Sequence, residues 1–373
     1  EAGAPPALVQ LVLRLMAPLP GDRPRGAREV RRELERIHPA ARRPLAERLQ
    51  TVVVVGRERE LALLERRLAQ PGRRPRVVVL GGDPGAGKSA VLGELAARAT
   101  LAGRSVVQLS CASFDAPGAL ALALMRRLAA DAGADPNALP IPARNAASAE
   151  ESLGAMADAA AEWTRAIAER SGAPLLLLDD GENLDPLARA FVRRLVLHPA
   201  AAPSLWVWAR RLLPDGAPED ERALIEAGVA EPLALGPLDA EGAARLAAVR
   251  LGDPAPASLL EFLWERAGGH PGLTLELLRA AAAAGAVEES DAGLLVRPEL
   301  LADVRVPASF EESLLGRLGA LPPAARSTAA ALAAWGRPAD EARVAALEPA
   351  AAGGCEALLA AGLAARDAAG RLR

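Results

Sequence analysis

The 373-residue chain contains no tyrosine, four phenylalanines and five tryptophans, so it offers few stacking platforms for single-stranded nucleic acid. Cysteine and histidine are scarce too, at two and three residues. Cys111 and Cys355 lie far apart, and with three scattered histidines no cluster has the spacing of zinc or iron ligands. Cysteine poverty of this kind fits a reducing, cytoplasmic compartment. Long apolar runs are missing: Leu8 to Leu19 and Ala280 to Val287 are too short or too alanine-rich to span a bilayer, and no charged-then-apolar leader is visible. There is no excess of positive charge. The net charge is −3, which leaves no global basic field for nucleic acid or an anionic membrane surface. Lysine is nearly absent, and among the 44 Lys and Arg residues the one lysine is Lys88.

What is present is ample apolar material, 51% of the chain, and a length that accommodates roughly two or three domains. The surplus of Ala, Arg, Gly and Pro looks like the coding bias of a high-GC genome and inflates helix propensity everywhere. Pattern is therefore weighted above propensity.

The most informative stretch runs from Arg76 to Val91. A β-branched run breaks into glycines and restarts as a helix, and Gly82, Gly87, Lys88 and Ser89 satisfy G-x(4)-G-K-S/T between an apolar strand and a helix-compatible run through Val91, Leu92 and Leu95. This is a phosphate-binding P-loop in sequence. Its backbone from Gly82 through Asp83, Pro84, Gly85, Ala86 and Gly87 to Lys88, Ser89 and Ala90 is expected to cradle phosphates, because glycines let successive N–H groups curl round an anion and the helix N-terminus adds unpaired donors. Lys88 is the compact point charge for the β and γ phosphates. The Ser89 hydroxyl suits Mg²⁺.

Further along, Pro174 to Leu184 places four leucines before Asp179 and Asp180. A strand buried on both faces that ends in acids is where an open α/β sheet presents ligand groups. In this Walker B pattern Asp179 is expected to hold Mg²⁺ and Asp180, or failing it Glu182, to orient an attacking water. Ser105 to Ser110, Ser204 to Arg211 and Glu231 to Leu238 supply further strands, so the expected fold is an α/β P-loop NTPase with a parallel, doubly wound sheet. Trp206 and Trp208 read as sheet packing. The helical stretch 116–171 is expected to break around Asp135 to Pro142.

Several segments resemble known families. Gly56, Arg57 and Glu58, after an apolar run and before Leu61, Leu64 and Leu68 at helical spacing, resemble the G-R-E motif of STAND-class ATPases, relatives of the AAA+ proteins that act as signalling switches. That resemblance implies that Gly56, Arg57 and Glu58 fold over the adenine, that Arg210 at the end of the fourth strand is the γ-phosphate sensor with Arg211 its neighbour, and that Gly269-His270-Pro271 is the G-x-P signature whose Pro271 packs on adenine. His270 is given no catalytic role. Near the start, Leu11 to Pro24 followed by Ala27 to Val30 and Leu34 resembles the last two helices of a eukaryotic-like serine/threonine protein kinase, in which Arg23 would bury against a glutamate; Leu19 departs from the usual acid. The alternative is an ordinary amphipathic hairpin with Leu8, Leu11, Val12 and Leu15 inward. No glycine-rich loop, H-R-D or D-F-G accompanies it, so this chain has no kinase catalytic residues.

The expected order is thus kinase-like helices over 1–38 ahead of a linker over 39–50, a P-loop ATPase core over 51–237, a helical lid over 238–306 and a winged-helix-like domain over 307–373. The last rests on short helices followed by a β-hairpin turning near Asp367 to Gly370. The expectation is a piece of a longer polypeptide. Its candidate reading helix, Gly353 to Leu363, carries Glu356 and no arginine, which favours packing over DNA contact. The function expected is an ATP- and Mg²⁺-dependent regulatory ATPase, with slow hydrolysis and partners in the other domains of its own polypeptide, or in a nucleotide-dependent homo-oligomer for which Arg193 and Arg194 could serve as a trans-acting finger. The alternatives are an AAA+ remodelling motor and an ATP-dependent transcriptional regulator.

Overall fold

A computed structural model describes residues 4–24, 26–38, 45–49, 53–70, 72, 74–114, 116–139, 149–212, 216–290, 293–304, 310–335, 338–351, 353–366 and 370–372. It opens with helices α1 (Pro6–Leu15), α2 (Ala27–Ile37) and α3 (Leu45–Arg48). On α1 the expected inward face is only partly used. Leu11 is buried, Val12 and Leu15 are exposed, and the hairpin is tied instead by Arg14 reaching Glu33 at 2.5 Å and Glu29 at 2.6 Å on α2. Arg23 is exposed and donates to the Ala17 carbonyl at 2.8 Å. The stretch read as a linker does more than connect. Leu49 is buried in the core of the helices that follow the sheet, and Arg48 pairs with Glu289 at 2.5 Å. Residues 39–44 and 50, the remainder of that expected linker, lie outside the described residues.

The core then runs through α4 (Glu58–Leu68), β1 (Val77–Gly81), α5 (Lys88–Leu101), β2 (Val106–Ser110), α6 (Ala119–Ala132), α7 (Ala149–Ser171), β3 (Leu175–Asp179), α8 (Pro186–Leu197), β4 (Leu205–Arg210), α9 (Glu219–Glu226) and β5 (Ala230–Ala234). The strands lie in the order β2-β3-β4-β1-β5, and every neighbouring pair is parallel. Why they read as unbroken apolar runs follows from burial on both faces. Val77, Val79, Leu176, Leu178, Trp206 and Trp208 turn to the side covered by α6, α7 and α8. Val78, Leu80, Leu175, Leu177, Leu205 and Val207 turn to the side covered by α4 and α5, as period-two alternation requires. Both tryptophans are packing residues. Trp206 is fully buried, its indole N–H donating to the Ser204 hydroxyl at 3.1 Å. The expected break after α6 is present over residues 135–139, and residues 140–148 lie outside the described residues.

A second unit follows: α10 (Ala240–Leu251), α11 (Ala257–Ala267), α12 (Pro271–Ala283), a hairpin of β6 (Val287–Ser290) with β7 (Gly293–Val296), and α13 (Pro298–Leu301). The antiparallel hairpin corrects the expectation of helices alone. The alanine run before it obscured the boundary, while Gly285 at φ 70° ends the helix and Val287, Leu294 and Val296 give the strands their inward side. Last come α14 (Phe310–Gly319), α15 (Pro323–Trp335), α16 (Glu341–Leu347) and α17 (Cys355–Ala360). Leu372 then forms antiparallel bridges to Ala339 and Arg366; the expected turn at residues 367–369 lies outside the described residues. The buried Glu276 of α12 pairs with Arg279 of its own helix and with Arg317 of α14 at 2.7 Å. One helix therefore belongs to both packing units. Among the described residues no helix is long and apolar enough to cross a membrane.

Candidate functional site

The parallel register aligns the C-terminal strand ends in one row, with Ser110 beside Asp179 and Gly81 beside Arg210. Chain leaving β1 turns at once into the P-loop, where Gly85 and Gly87 sit at φ 82° and 96°, a region closed to most side chains. A Cβ on Gly82 would stand 3.1 Å from that of Ala86 and 3.2 Å from the Leu235 carbonyl. The loop is therefore tight as well as bent. Helix α5 makes its first intrahelical bond from the Val91 amide to the Gly87 carbonyl at 3.0 Å, so the amides of Lys88, Ser89 and Ala90 are left at the helix mouth as anion donors.

Five consecutive loop carbonyls are engaged by protein groups. Lys88 Nζ donates to those of Gly82 at 2.8 Å and Asp83 at 3.0 Å. The Pro84 carbonyl faces the His270 ring, that of Gly85 accepts from the Gly272 amide at 3.0 Å, and that of Ala86 from Arg57 Nη2 at 3.2 Å. With the carbonyls occupied in this way and the Ala86 amide turned back to the Asp83 carbonyl at 3.1 Å, the amides at the helix mouth are the polar edge offered to an anion. Burial lowers the Lys88 pKa, opposed by the charges of Glu182 and Asp179.

Asp179 closes β3 beside the Ser89 hydroxyl, which favours its ionised form. Burial, reinforced by the neighbouring Asp180, holds the Asp179 carboxyl above its ordinary range although Ser89 opposes the shift. A hydroxyl and a carboxylate in contact, the acid short of compensating charge, fit a hard cation that takes its other ligands from water and phosphate. Asp180 is a non-glycine residue at φ 55°, held where Ser110 Oγ donates to it at 3.0 Å. Ser110 was missed in the sequence, where the only signal was a hydroxyl at the end of the second strand. Glu182 pairs with Arg211, accepting from its amide and its Nε at 3.2 Å each.

The structure does not turn the Arg210 guanidinium to the phosphate loop. Its Nε and Nη2 form a bidentate pair with Glu221 at 2.7 and 2.6 Å. Successive residues of extended chain face opposite sides, and it is the charge of Arg211 that is felt at Lys88. The Arg210–Glu221 pair is mostly buried, with side chains 12% and 7% exposed. Glu221→Ala is therefore expected to cost about 3–5 kcal/mol by leaving a guanidinium uncompensated, measured by denaturant unfolding against wild type. Arg193 and Arg194 are exposed on α8, and the Arg194 guanidinium lies against Gly154.

The two remote motifs come to the loop. Arg57 is buried and, besides Ala86, reaches the Gly236 carbonyl at 2.6 Å and Glu60 at 3.2 Å, binding the first helix of the core to the loop after β5. Gly56, at φ 71°, leaves 2.9 Å between a notional Cβ and Leu238; Glu58 faces Arg245 of α10 at 3.2 Å. Pro271 opens α12 between His270, which faces the P-loop at Pro84, and Gly272, which is bonded to it. Among the described residues no group of three or more His, Cys, Asp or Glu is arranged to hold a metal ion. Burial pushes the Cys111 thiol up to about 12, which removes it as a nucleophile.

No curated protein matches the sequence. Among solved structures, the chain is similar to a Signal Transduction ATPase with Numerous Domains (STAND) protein with a tetratricopeptide repeat sensor from Pyrococcus horikoshii, at 17% identity and TM-score 0.50, covering 86% of this chain and 41% of that one. It is also similar to the Orc1 protein of Aeropyrum pernix in complex with DNA, at 18% identity and TM-score 0.43 over 87% of this chain and 89% of that one. Cdc6p of Pyrobaculum aerophilum gives 17% identity and TM-score 0.43 over 87% and 92%. At 17% identity the likeness to the STAND protein is one of fold. Residues 53–207, from the strand-like run before Gly56 to the middle of β4, match the family described as AAA ATPase domain.

Proposed function

We propose that the chain binds ATP with Mg²⁺ and hydrolyses it slowly as a STAND-type regulatory switch. The observation that carries this reading is the meeting of Lys88, Ser89 and Asp179 at a P-loop whose Gly85 carbonyl is held by the Gly272 amide, with His270 facing the Pro84 carbonyl. Ser89 and Asp179 would hold Mg²⁺, which screens phosphate charge when bound. Lys88 neutralises the terminal phosphates. Asp180, fixed by Ser110, orients the water whose oxygen bonds to the γ-phosphorus as the bond from that phosphorus to the β–γ bridging oxygen breaks, giving inorganic phosphate, ADP as the leaving group and a proton. We assign γ-phosphate sensing to Arg211, whose charge reaches Lys88, with Arg210 bracing it through Glu221. The adenine roles of Gly56, Arg57, Glu58 and Pro271 rest on the motif resemblance together with their placement around the loop.

Switching follows from differential contact. A γ-phosphate bound by the loop favours one loop–lid arrangement, and hydrolysis removes that preference. Helix α12 can relay the difference, since it carries both Gly272 on the P-loop and Glu276 on Arg317. A winged-helix-like role for residues 307–373 is supported by the order of α14 to α17 and the bridges at Leu372. The short α17 bears Glu356 and no arginine, so nucleic acid is not proposed as a partner. A kinase context rests on the sequence of residues 5–38 alone.

The test is titration of Mg·ATP with turnover and mass measured in parallel. Saturable binding with turnover below about one per second supports the switch, whereas several per second in a constitutive hexamer supports a remodelling motor. Asp179→Asn adds a second arm. The folded-state pKa of Asp179 is raised, so the stability tied to this group is present below the ordinary aspartate pKa and lost as pH rises through the raised value. At pH 8 without ligand the variant is expected to melt above wild type, and to lose Mg²⁺-dependent ATP binding.

A further inference from the structure

His270 does two things with one ring. Its Nδ1 accepts the Leu273 amide at 3.1 Å, capping the N-terminus of α12, so the ring proton must sit on Nε2, the N–H left to serve the Pro84 carbonyl that the ring faces. The neighbouring turn is shaped around that bond. Gly269 lies at φ 79° with its carbonyl accepting the Leu238 amide at 2.9 Å, His270 N donates to the Ala267 carbonyl at 2.8 Å, and two residues on, Gly272 N donates to Gly85. A cap that only ended a helix would need no second partner. Here the second partner is the apex of the phosphate loop.

We propose that His270 is a positioning residue that couples the lid to nucleotide: its neutral, Nε2-protonated imidazole holds the P-loop at Pro84 while capping α12, so that occupancy of the loop and order of the α12 N-terminus rise and fall together. Burial lowers the His270 pKa against the pull of the Pro84 carbonyl and of Asp83, with Arg57 adding to the lowering, and this keeps the ring in the uncharged form that the Nδ1 cap requires. A protonated ring would turn an N–H toward the Leu273 amide and lose the cap. The inference rests on nucleotide binding at the P-loop as proposed above.

Two isosteric substitutions separate the two bonds. His270→Asn places an acceptor where Nδ1 stands and keeps the cap, but cannot reach Pro84. His270→Gln places a donor where Nε2 stands and gives up the cap. In the full chain, dissociation of fluorescent ADP and hydrogen exchange at the Gly272 and Leu273 amides are measured with and without ADP. Wild type is expected to gain protection at these amides on binding ADP. His270→Asn is expected to melt as wild type does, release ADP about three- to tenfold faster, the worth of one hydrogen bond, and lose the ADP-dependent protection. His270→Gln is expected to melt lower yet hold ADP nearly as long as wild type. Wild-type release and protection in His270→Asn would overturn the coupling, as would a His270→Gln that releases ADP as fast as His270→Asn. A wild-type chain that binds no ADP would overturn the nucleotide reading itself and this inference with it.

Discussion

Lys88→Ala is expected to abolish measurable ATP binding while leaving the thermal transition of the unliganded chain close to that of wild type. The ammonium is half-buried, its pKa lowered by burial and supported by Glu182, Asp179 and Asp180. In the unliganded chain it spends its protons on the Gly82 and Asp83 carbonyls. Those are neutral bonds of modest net worth, so losing them costs the fold little. Phosphate oxygens offer charge-assisted bonds to the same group, and removing one partner of such a desolvated pair costs about 2–5 kcal/mol, roughly thirtyfold to several thousandfold in affinity. No second lysine exists to substitute. Arginine is a poor replacement, because its planar fork needs more room than a loop with Ala86 and Leu235 packed against Gly82 provides. Titration calorimetry with Mg·ATP decides the matter, and affinity within threefold of wild type would mean that the cradle does not hold nucleotide through Lys88.

The second large effect belongs to the junction between core and lid. Gly269→Ala is expected to destabilise by about 3 kcal/mol or more, through the positive φ and through a steric overlap together. Gly269 sits at φ 79°, and an added Cβ would run into the Leu238 carbonyl oxygen, part of the backbone whose amide bonds Gly269 in return. Neither strand of that contact can yield as a flexible side chain would. The adjacent Gly268 is the internal control. It also has positive φ, at 53°, but nothing lies within 4 Å of its notional Cβ, so Gly268→Ala carries only the left-handed penalty of about 1–2 kcal/mol. Denaturant unfolding of the two variants side by side, followed by ADP affinity, is the measurement. Equal losses would remove the close approach as the cause, and a selective loss in Gly269→Ala that also weakens ADP binding would place the lid junction in control of the loop.

How much of this was legible beforehand differs by element. The P-loop was, because its glycines, lysine and serine answer to a ligand whose geometry does not change from one protein to the next. So was the sheet, since strands buried on both faces must be written as continuous apolar runs. Arg57 was singled out by motif, but its actual bonds to Ala86 and Gly236 depend on two loops far away in the chain. Arg210 and Arg211 illustrate the limit. Side by side in sequence, they differ in which side of the strand end they face, and Glu221, which claims Arg210, lies on a helix that no local pattern connects to it. His270 is given no catalytic role by the sequence, because one histidine in a glycine turn has no local chemistry beyond that of a cap or a surface residue, and it does cap α12. The β6–β7 hairpin was hidden by the alanine run ahead of it, and Leu49, read as linker, found its partners in α10 to α12.

By itself, then, the sequence determined that this chain has a phosphate loop with one ammonium, an acid-tipped strand and a parallel sheet, because each is dictated by local backbone geometry, side-chain period or the fixed chemistry of phosphate. Tertiary structure alone decided that Arg210 turns to Glu221, that Ser110 holds Asp180, and that the turn before α12 meets the phosphate loop, with Gly272 bonded to Gly85 and His270 facing Pro84. These are contacts between residues far apart in the chain, and only the packing of the folded units fixes their distances.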